Sequence, residues 1–223
     1  MCGRFSLAAE PGELQAAFPG FFFPEKMAPR YNIAPSQPVL ALPNNPNKTA
    51  DLFIWGLIPS WSKDPSFGAR LINARGEGVS EKPSFRGAYK YKRCIVPATG
   101  FYEWKKASDG KTKTPYNIGM SQGGIFALAG LWDEWLSPDG SVVKTCTIIT
   151  TSPNSLMSKI HDRMPVILSP ESYSEWLNPE PVRPGEVDHL LVPFNESKMA
   201  AYPVSTLVNS PANESPLCIQ GIA

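Results

Sequence analysis

The chain has 223 residues, of which 42% are hydrophobic and 18% charged, and this balance excludes intrinsic disorder as its general state. Its 24 prolines argue against helical bundles and coiled coils, because proline interrupts helices and central strands. The formal net charge of +1 argues against a nucleic-acid partner unless positive charge is concentrated locally.

Short apolar runs separated by Pro, Gly and Asn predict a β-rich chain with a few short helices. The predicted helices cover residues 11–18, 152–160 (with Ser152 as N-cap), 169–177 and 185–191. The predicted strands cover residues 39–42, 52–58, 94–98, 101–105, 116–120, 125–131, 142–150 and 166–168. Hairpin turns are predicted at Asp109-Gly110 and at 137–140. This pattern predicts one α+β domain with antiparallel sheets, in which barrel and sandwich remain alternatives.

The cysteines and histidines carry no metal-site or disulfide pattern. Cys2, Cys94, Cys146 and Cys218 form no CxxC pair, and free thiols are expected. Neither a metal nor a nucleotide cofactor is predicted, since zinc-binding spacings, GxGxxG and P-loop motifs are absent. No apolar run approaches the roughly 20 residues of a membrane span, and the N-terminus lacks a secretory pattern. We therefore expect a cytoplasmic protein with no membrane partner.

Cys2 is the first candidate for chemistry. Removal of Met1 would leave a cysteine that carries both a free amine and a thiol, with reference pKa values of about 7.7–8.0 and about 8.5. The amine can condense with an aldehyde to an imine, and the thiol can then close a thiazolidine ring. Arg4 lies close enough in sequence to favour the thiolate. The alternative is that Cys2 is a small residue at a frayed terminus.

Three further segments of the chain carry side chains suited to proton transfer or anion binding. Asn73 and Arg75 would lie on one side of an extended segment, or else in a solvated turn. Glu103 lies between aromatic residues, which would raise its pKa toward neutrality, unless it faces solvent on an edge strand. His161 is predicted in a loop, and the reference pKa of histidine, about 6.5, suits proton transfer. The alternative is a structural role in which its charge interacts with a helix C-terminus. Trp61 lies in a polar loop and is a candidate for base stacking.

Seven short blocks occur in the following order along the chain: Met-Cys-Gly-Arg-Phe, Arg30-Tyr31-Asn32-Ile33-Ala34-Pro35, Trp55-Gly56-Leu57-Ile58-Pro59, Asn73-Ala74-Arg75, Gly100-Phe101-Tyr102-Glu103-Trp104, Ala129-Gly130-Leu131-Trp132 and Ile160-His161-Asp162-Arg163-Met164-Pro165. Together they resemble the SOS-response-associated peptidase (SRAP) family, the abasic-site-processing proteins. The resemblance covers about residues 2–205 of a single domain spanning 1–223, with a C-terminal tail over about 206–223.

The resemblance implies that the protein shields abasic sites in single-stranded DNA by a covalent thiazolidine crosslink through Cys2, and acts as a monomer. It implies that Asn73 positions the cysteine and the sugar aldehyde, that Glu103 acts as acid and base in ring opening and crosslink reversal, and that His161 assists proton transfer. The residues that it assigns to DNA are Arg4, Arg75 and Arg163 at phosphates, Trp61 as a base-stacking wedge, and Thr150 beside the site. The imine also allows weak lyase activity by β-elimination.

Two departures from the family pattern concern the DNA contacts and leave the proposed catalytic residues intact. Gly78 stands where a threonine often follows the glutamate, and only one tryptophan, Trp61, follows Pro59-Ser60. Positive charge is predicted to concentrate around Cys2, with a further basic run formed by Arg86, Lys90, Lys92 and Arg93.

Two other functions remain alternatives. An N-terminal-nucleophile peptidase or amidohydrolase would use Cys2 with its own amine as the base. A non-catalytic module for single-stranded DNA would bind without any role for Cys2.

Overall fold

The computed structural model of the protein describes residues 2–107 and 110–222. Met1, whose removal was predicted, lies outside these ranges. So does Asp109, the first residue of the turn predicted at 109–110. The β-strands are β1 (Phe5–Leu7), β2 (Arg30–Ile33), β3 (Pro38–Pro43), β4 (Asp51–Trp55), β5 (Asn73–Arg75), β6 (Arg93–Ala98), β7 (Gly100–Lys106), β8 (Lys113–Met120), β9 (Phe126–Leu136), β10 (Val142–Thr151), β11 (Met164–Pro165), β12 (Ile167–Leu168) and β13 (Met199–Pro203).

The helices are short. The α-helices are α1 (Pro11–Ala17), α2 (Phe67–Arg70), α3 (Arg86–Tyr91) and α4 (Tyr173–Trp176). The 3₁₀ helices cover Met157–Lys159, Pro170–Ser172, Asp188–Leu190, Glu196–Lys198, Thr206–Asn209 and Pro216–Cys218. The predicted β-rich α+β class with short helices is therefore confirmed.

Five strands close into a barrel, and this resolves the choice between barrel and sandwich. The order β10-β4-β3-β6-β9 returns to β10 through the long β9–β10 hairpin. That hairpin turns at 137–140 as predicted, where Gly140 has a φ of 85°. Most strand pairs are antiparallel, as predicted, but strand β10 runs parallel to β4 and to β5. The parallel pairing places β5, with Asn73, beside the C-terminal half of β10.

A second, antiparallel sheet has the order β13-β8-β7-β1-β2. Its strand β1 pairs with β7 through Phe5 and Phe101, which places the N-terminal residues next to the strand that carries Glu103. Phe5 is buried and meets the Trp55 ring edge-on at 5.2 Å. This contact packs the sheet against the core that it shares with the barrel.

Several predicted elements differ in the structure. The predicted strand 52–58 ends at Trp55, because Gly56 has a φ of 133° and leaves the extended conformation. Glycine is required at this position, since a Cβ would lie 2.4 Å from the Gly68 carbonyl oxygen. The predicted helix 152–160 is only a 3₁₀ turn, Met157–Lys159, and Asn154 rather than Ser152 accepts a hydrogen bond at its start, from the Met157 amide. The predicted helix 185–191 is likewise reduced to a 3₁₀ turn.

Arg93 does not belong to a basic surface, contrary to the predicted run. Its guanidinium is fully buried and donates hydrogen bonds to main-chain carbonyls, including those of Trp176 at 2.8 Å and Tyr89 at 2.9 Å. A buried charge is stable only when its donors are satisfied in this way. Arg93 therefore fastens β6 to the end of α3 and to the segment after α4.

The segment predicted as a tail packs against the second sheet. Val208 and Cys218 are buried with Tyr102, and Glu214 accepts hydrogen bonds from the main-chain amides of Tyr31 and Asn32. Residues 206–219 therefore belong to the folded structure. Among the described residues, no helix combines the length and apolar character that crossing a bilayer requires.

Candidate functional site

The four predicted catalytic residues lie close together although they come from distant parts of the chain. Cys2 precedes β1, Asn73 opens β5, Glu103 lies in β7, and His161 follows the 3₁₀ turn before β11. The Asn73 amide nitrogen donates to the Cys2 carbonyl oxygen at 2.8 Å. His161 Nε2 lies 3.8 Å from Glu103 Oε2.

The Cys2 thiol is buried beside the Glu103 carboxylate. Cys2 is 0% exposed, so burial raises the pKa of its thiol far above the ordinary value, and the negative charge of Glu103 raises that pKa further. Both influences favour the neutral thiol over the thiolate at Cys2. Arg4, which was predicted to favour the thiolate, does so only through its main-chain amide, a weaker influence than burial.

Glu103 is an interior carboxylate. Strand β7 lies between β8 and β1, and Glu103 is 3% exposed, so the alternative of a solvent-facing glutamate on an edge strand is wrong. Burial raises the pKa of Glu103, and the neighbouring His161 partly opposes this rise. A raised pKa makes this carboxyl group easier to protonate than an exposed glutamate, as a proton donor requires.

His161 is oriented by its own loop. Its Nδ1 accepts a hydrogen bond from the main-chain amide of Arg163 at 3.0 Å. In the neutral ring this places the proton on Nε2, which faces Glu103. The exposed Asp162 carboxylate also lies 2.9 Å from Nδ1, so it can accept a hydrogen bond from this nitrogen when the ring is protonated.

The Asn73 side chain has an unused acceptor. Within the described ranges its Oδ1 is buried and has no hydrogen-bond partner, while its amide nitrogen holds Cys2. A buried acceptor without a partner costs free energy of about 1–3 kcal/mol, so such an atom commonly marks a ligand position. An amine or hydroxyl of a bound molecule would supply the missing donor.

The predicted phosphate contacts have different surroundings. Arg163 forms a bidentate ion pair with Glu77, with both distances at 2.7–2.8 Å, and also donates to the Thr150 carbonyl oxygen at 2.7 Å. Thr150 thus contacts Arg163 through its carbonyl oxygen, and its place beside bound DNA stays a prediction. Arg75 ends β5 with an exposed side chain.

Arg4 has two main partners inside the protein. Its Nη1 donates to Asn32 Oδ1 at 2.7 Å and to the Val208 carbonyl oxygen at 2.6 Å. Partial burial lowers the pKa of Arg4. A role for Arg4 at a DNA phosphate stays a prediction, and these contacts assign it a structural role beside β1.

Trp61 lies in an exposed turn, as predicted. Its side chain is 58% exposed, and its ring meets the edge of Phe67 at 5.6 Å. Sequence reasoning assigned no role to Glu77 or to the C-terminal residues that hold Arg4. Glu77 carries a weak signal, since it lies two residues after Arg75, but only the structure pairs it with Arg163.

The family model of SRAP, the SOS response associated peptidase family, matches residues 1–211. The chain belongs to this family. The SRAP resemblance found in the seven sequence blocks is thereby confirmed. Within the described residues, no group of three or more His, Cys, Asp or Glu side chains is arranged to hold a metal ion.

Relatives of known sequence or structure share nearly the whole SRAP fold. The chain is 50% identical over 223 residues to abasic site processing protein YoqW of Bacillus subtilis, covering 99% of both chains. It is 32% identical over 268 residues to abasic site processing protein HMCES of Mus musculus, covering 98% of this chain and 75% of that protein. A crystal structure of a Bacteroides thetaiotaomicron protein, 32% identical, matches with a TM-score of 0.89 over 100% of both chains.

Proposed function

We propose that this SRAP protein processes abasic sites in single-stranded DNA and crosslinks to them through Cys2 after removal of Met1. The observation that carries the proposal is the convergence of Cys2 with Asn73, Glu103 and His161. The names of relatives that match almost the whole chain, abasic site processing proteins, support the same substrate.

The covalent step begins with the amine of Cys2. The amine attacks the C1′ aldehyde of the ring-opened deoxyribose, and the resulting carbinolamine loses water to give an imine. The thiol then adds to the imine carbon, a C–S bond forms, and the thiol proton passes to the nitrogen. This order suits a buried, protonated thiol, because the amine rather than the sulfur makes the first attack.

The surrounding groups supply proton transfer and position. Glu103 protonates the ring oxygen during sugar opening and the hydroxyl that leaves as water, for which a raised pKa is suited. His161 relays protons between Glu103 and the sugar hydroxyls. Asn73 holds Cys2 by its amide nitrogen, and its buried Oδ1 accepts a hydrogen bond from the new amine or from a sugar hydroxyl.

Contacts with the strand are proposed to be independent of sequence. Arg75 and Arg163 bind phosphates beside the site, Thr150 borders it, and Trp61 stacks on a base. Arg4 contributes a phosphate contact only if its bond to Asn32 or Val208 is exchanged.

A denaturing gel tests the proposal. The mature protein is incubated with single-stranded DNA that contains one abasic site, and we expect a protein–DNA band that survives denaturation. Cys2→Ala should abolish this band, whereas Cys218→Ala, a second buried thiol in the C-terminal segment, should retain it. Acetylation of the Cys2 amine should also abolish the band. A band that persists in Cys2→Ala would refute the mechanism.

The family description favours a second candidate, a peptidase that uses the same nucleophile. In that case Cys2-dependent turnover of a peptide or amide substrate would appear without any crosslink. Salt-sensitive DNA binding with neither activity would instead identify a non-catalytic binding module.

A further inference from the structure

Helix α3 presents a cationic and aromatic face to solvent. Its inner side is formed by Phe85, Ala88 and Tyr89, which are buried at the i, i+3, i+4 spacing of an amphipathic helix. The outer side carries Arg86 and Lys90, four residues apart and both exposed. Tyr91, the last residue of the helix, is 51% exposed.

The two cations on this face are not neutralised by the protein. In the described ranges, neither Arg86 nor Lys90 has a carboxylate within ion-pair distance, whereas the nearby Lys92 is paired with Asp133 at 2.9 Å. Like charges at i and i+4 destabilise a helix by a few tenths of a kcal/mol. An anionic partner would remove this repulsion.

A cleft lies on each side of Arg86. One, of about 520 Å³, has Trp61 and Tyr91 among its walls, together with Ser84. The other, of about 400 Å³, is lined by Arg86, Lys90 and Ser80. The first provides aromatic surfaces beside Arg86 and the Lys92–Asp133 ion pair, and the second provides positive charge.

Gly87 lies between these clefts and lines both. A Cβ at this position would meet no protein atom within 4 Å, so packing does not require glycine here. Glycine in a helix costs about 1 kcal/mol relative to alanine. A bare backbone at this point allows close approach of a ligand that lies over α3.

We propose that the outer face of α3 is a second binding subsite for single-stranded nucleic acid, in which one base enters the cleft between Trp61 and Tyr91. The adjacent phosphates bind Arg86 and Lys90 and pass over Gly87. This inference rests on the proposed function, because it extends the path of the strand that reaches Cys2. A nucleic acid fits better than an acidic peptide, since two exposed aromatic rings flank the cleft.

The charge contribution is measured with undamaged oligothymidylate of about 12 nucleotides, a length within the range of single-strand binding sites. For Arg86→Gln/Lys90→Gln we expect about tenfold weaker binding at low salt and a salt slope lower by about 1.4, since each single-strand phosphate contact contributes about 0.7. The control Lys26→Gln/Lys198→Gln removes the same charge from exposed lysines that line neither cleft and should retain the slope.

The stacking contribution is measured by quenching of 2-aminopurine placed in the same strand. Tyr91→Leu should reduce the quenching and weaken binding by about tenfold, a typical value for loss of one stacking contact. Gly87→Ala should weaken binding while the melting temperature stays equal to or above that of the wild type. That combination separates a blocked surface from a damaged fold.

Other results would overturn the inference. These are an unchanged salt slope in the double variant, unchanged quenching in Tyr91→Leu, or competition by polyglutamate as effective as that by oligothymidylate, which would indicate an acidic protein partner. Crosslinking by the wild type to an abasic strand is measured separately. Its absence would refute the proposed function and leave the α3 result standing, because the comparison of α3 variants with the wild type uses undamaged DNA and requires no crosslink.

Discussion

The amide nitrogen of Asn73 lies 2.8 Å from the carbonyl oxygen of Cys2 and joins a barrel-associated strand to the N-terminal segment of the second sheet. Because this bond is made to the main chain, it fixes where the Cys2 nitrogen and sulfur lie without occupying either atom. Cys2 is thus positioned independently of the protonation state of its thiol and amine.

Asn73→Ala should slow crosslink formation by roughly 10- to 100-fold, because displacement of a reacting group by about 1 Å can cost this much. The measurement is a single-turnover crosslinking rate at saturating abasic DNA. Affinity for undamaged single-stranded DNA should change less than about twofold. Asn47→Ala, at an exposed position, serves as the control. An unchanged rate in Asn73→Ala would exclude the positioning role.

Glu103→Gln should slow crosslink formation by roughly 100-fold through loss of proton transfer, with DNA binding retained. It should also stabilise the protein in a pH-dependent way. The folded pKa of Glu103 is raised above its ordinary value near 4.5, so its stabilising contribution is complete below that pH and is lost as pH rises through the folded pKa.

The stability gained by Glu103→Gln over the wild type should therefore be absent near pH 4 and increase toward pH 8. Thermal unfolding across this range measures it, at about 2–4 °C for each kcal/mol recovered. Glu25→Gln, at an exposed position, should show no such trend. Equal melting temperatures for Glu103→Gln and wild type at every pH would contradict the burial argument.

Glu77→Gln should raise the affinity for single-stranded DNA by up to about fivefold, because a phosphate then need not displace a carboxylate from Arg163. Hydrogen bonding from Arg163 lowers the pKa of Glu77, so this pair is present at neutral pH and is lost on acidification. Fluorescence anisotropy with undamaged DNA measures the effect, and Glu81→Gln removes an exposed charge nearby as the control. Weaker binding in Glu77→Gln would show that Glu77 orients Arg163 rather than competing with DNA.

Asn32→Ala should destabilise the fold by about 2–4 kcal/mol, because it removes one of two acceptors of the Arg4 guanidinium and the side-chain amide that donates to two C-terminal carbonyls. Asn32 is fully buried and donates to the carbonyl oxygens of Ser210 and Asn213 at 2.9 and 2.8 Å. Urea unfolding measures the change. Asn209→Ala, which removes an exposed hydrogen bond to Trp104, should cost less than about 1 kcal/mol. A cost for Asn32→Ala no greater than this would mean that the C-terminal segment is not held through Asn32.

Local sequence patterns correctly predicted those strands, turns and helices that are stabilised mainly by interactions between residues close in sequence. Alternation and turn residues located most of β9 and β10 with the turn between them, and Pro11 marked the start of α1. The same patterns failed at 152–160, where a helix was predicted. There the Asn154 side chain accepts a hydrogen bond from the Met157 amide, and only a single 3₁₀ turn forms. They also missed α3, whose six residues are too few for a clear helical period.

The sequence by itself determined the family and the candidate residues of this protein: a cysteine at position 2, a glutamate between aromatic residues, an Asn-Ala-Arg block and a histidine loop, in the order of the SRAP family. Only the tertiary structure decided that β10 runs parallel to β5 and that β1 pairs with β7, which brings Asn73 to Cys2 and Cys2 to Glu103. It also decided that Arg93 is buried and that Arg4 is bound by the C-terminal segment. These facts depend on contacts between residues far apart in the chain, and a linear pattern of residue types does not encode which distant partners satisfy a buried charge.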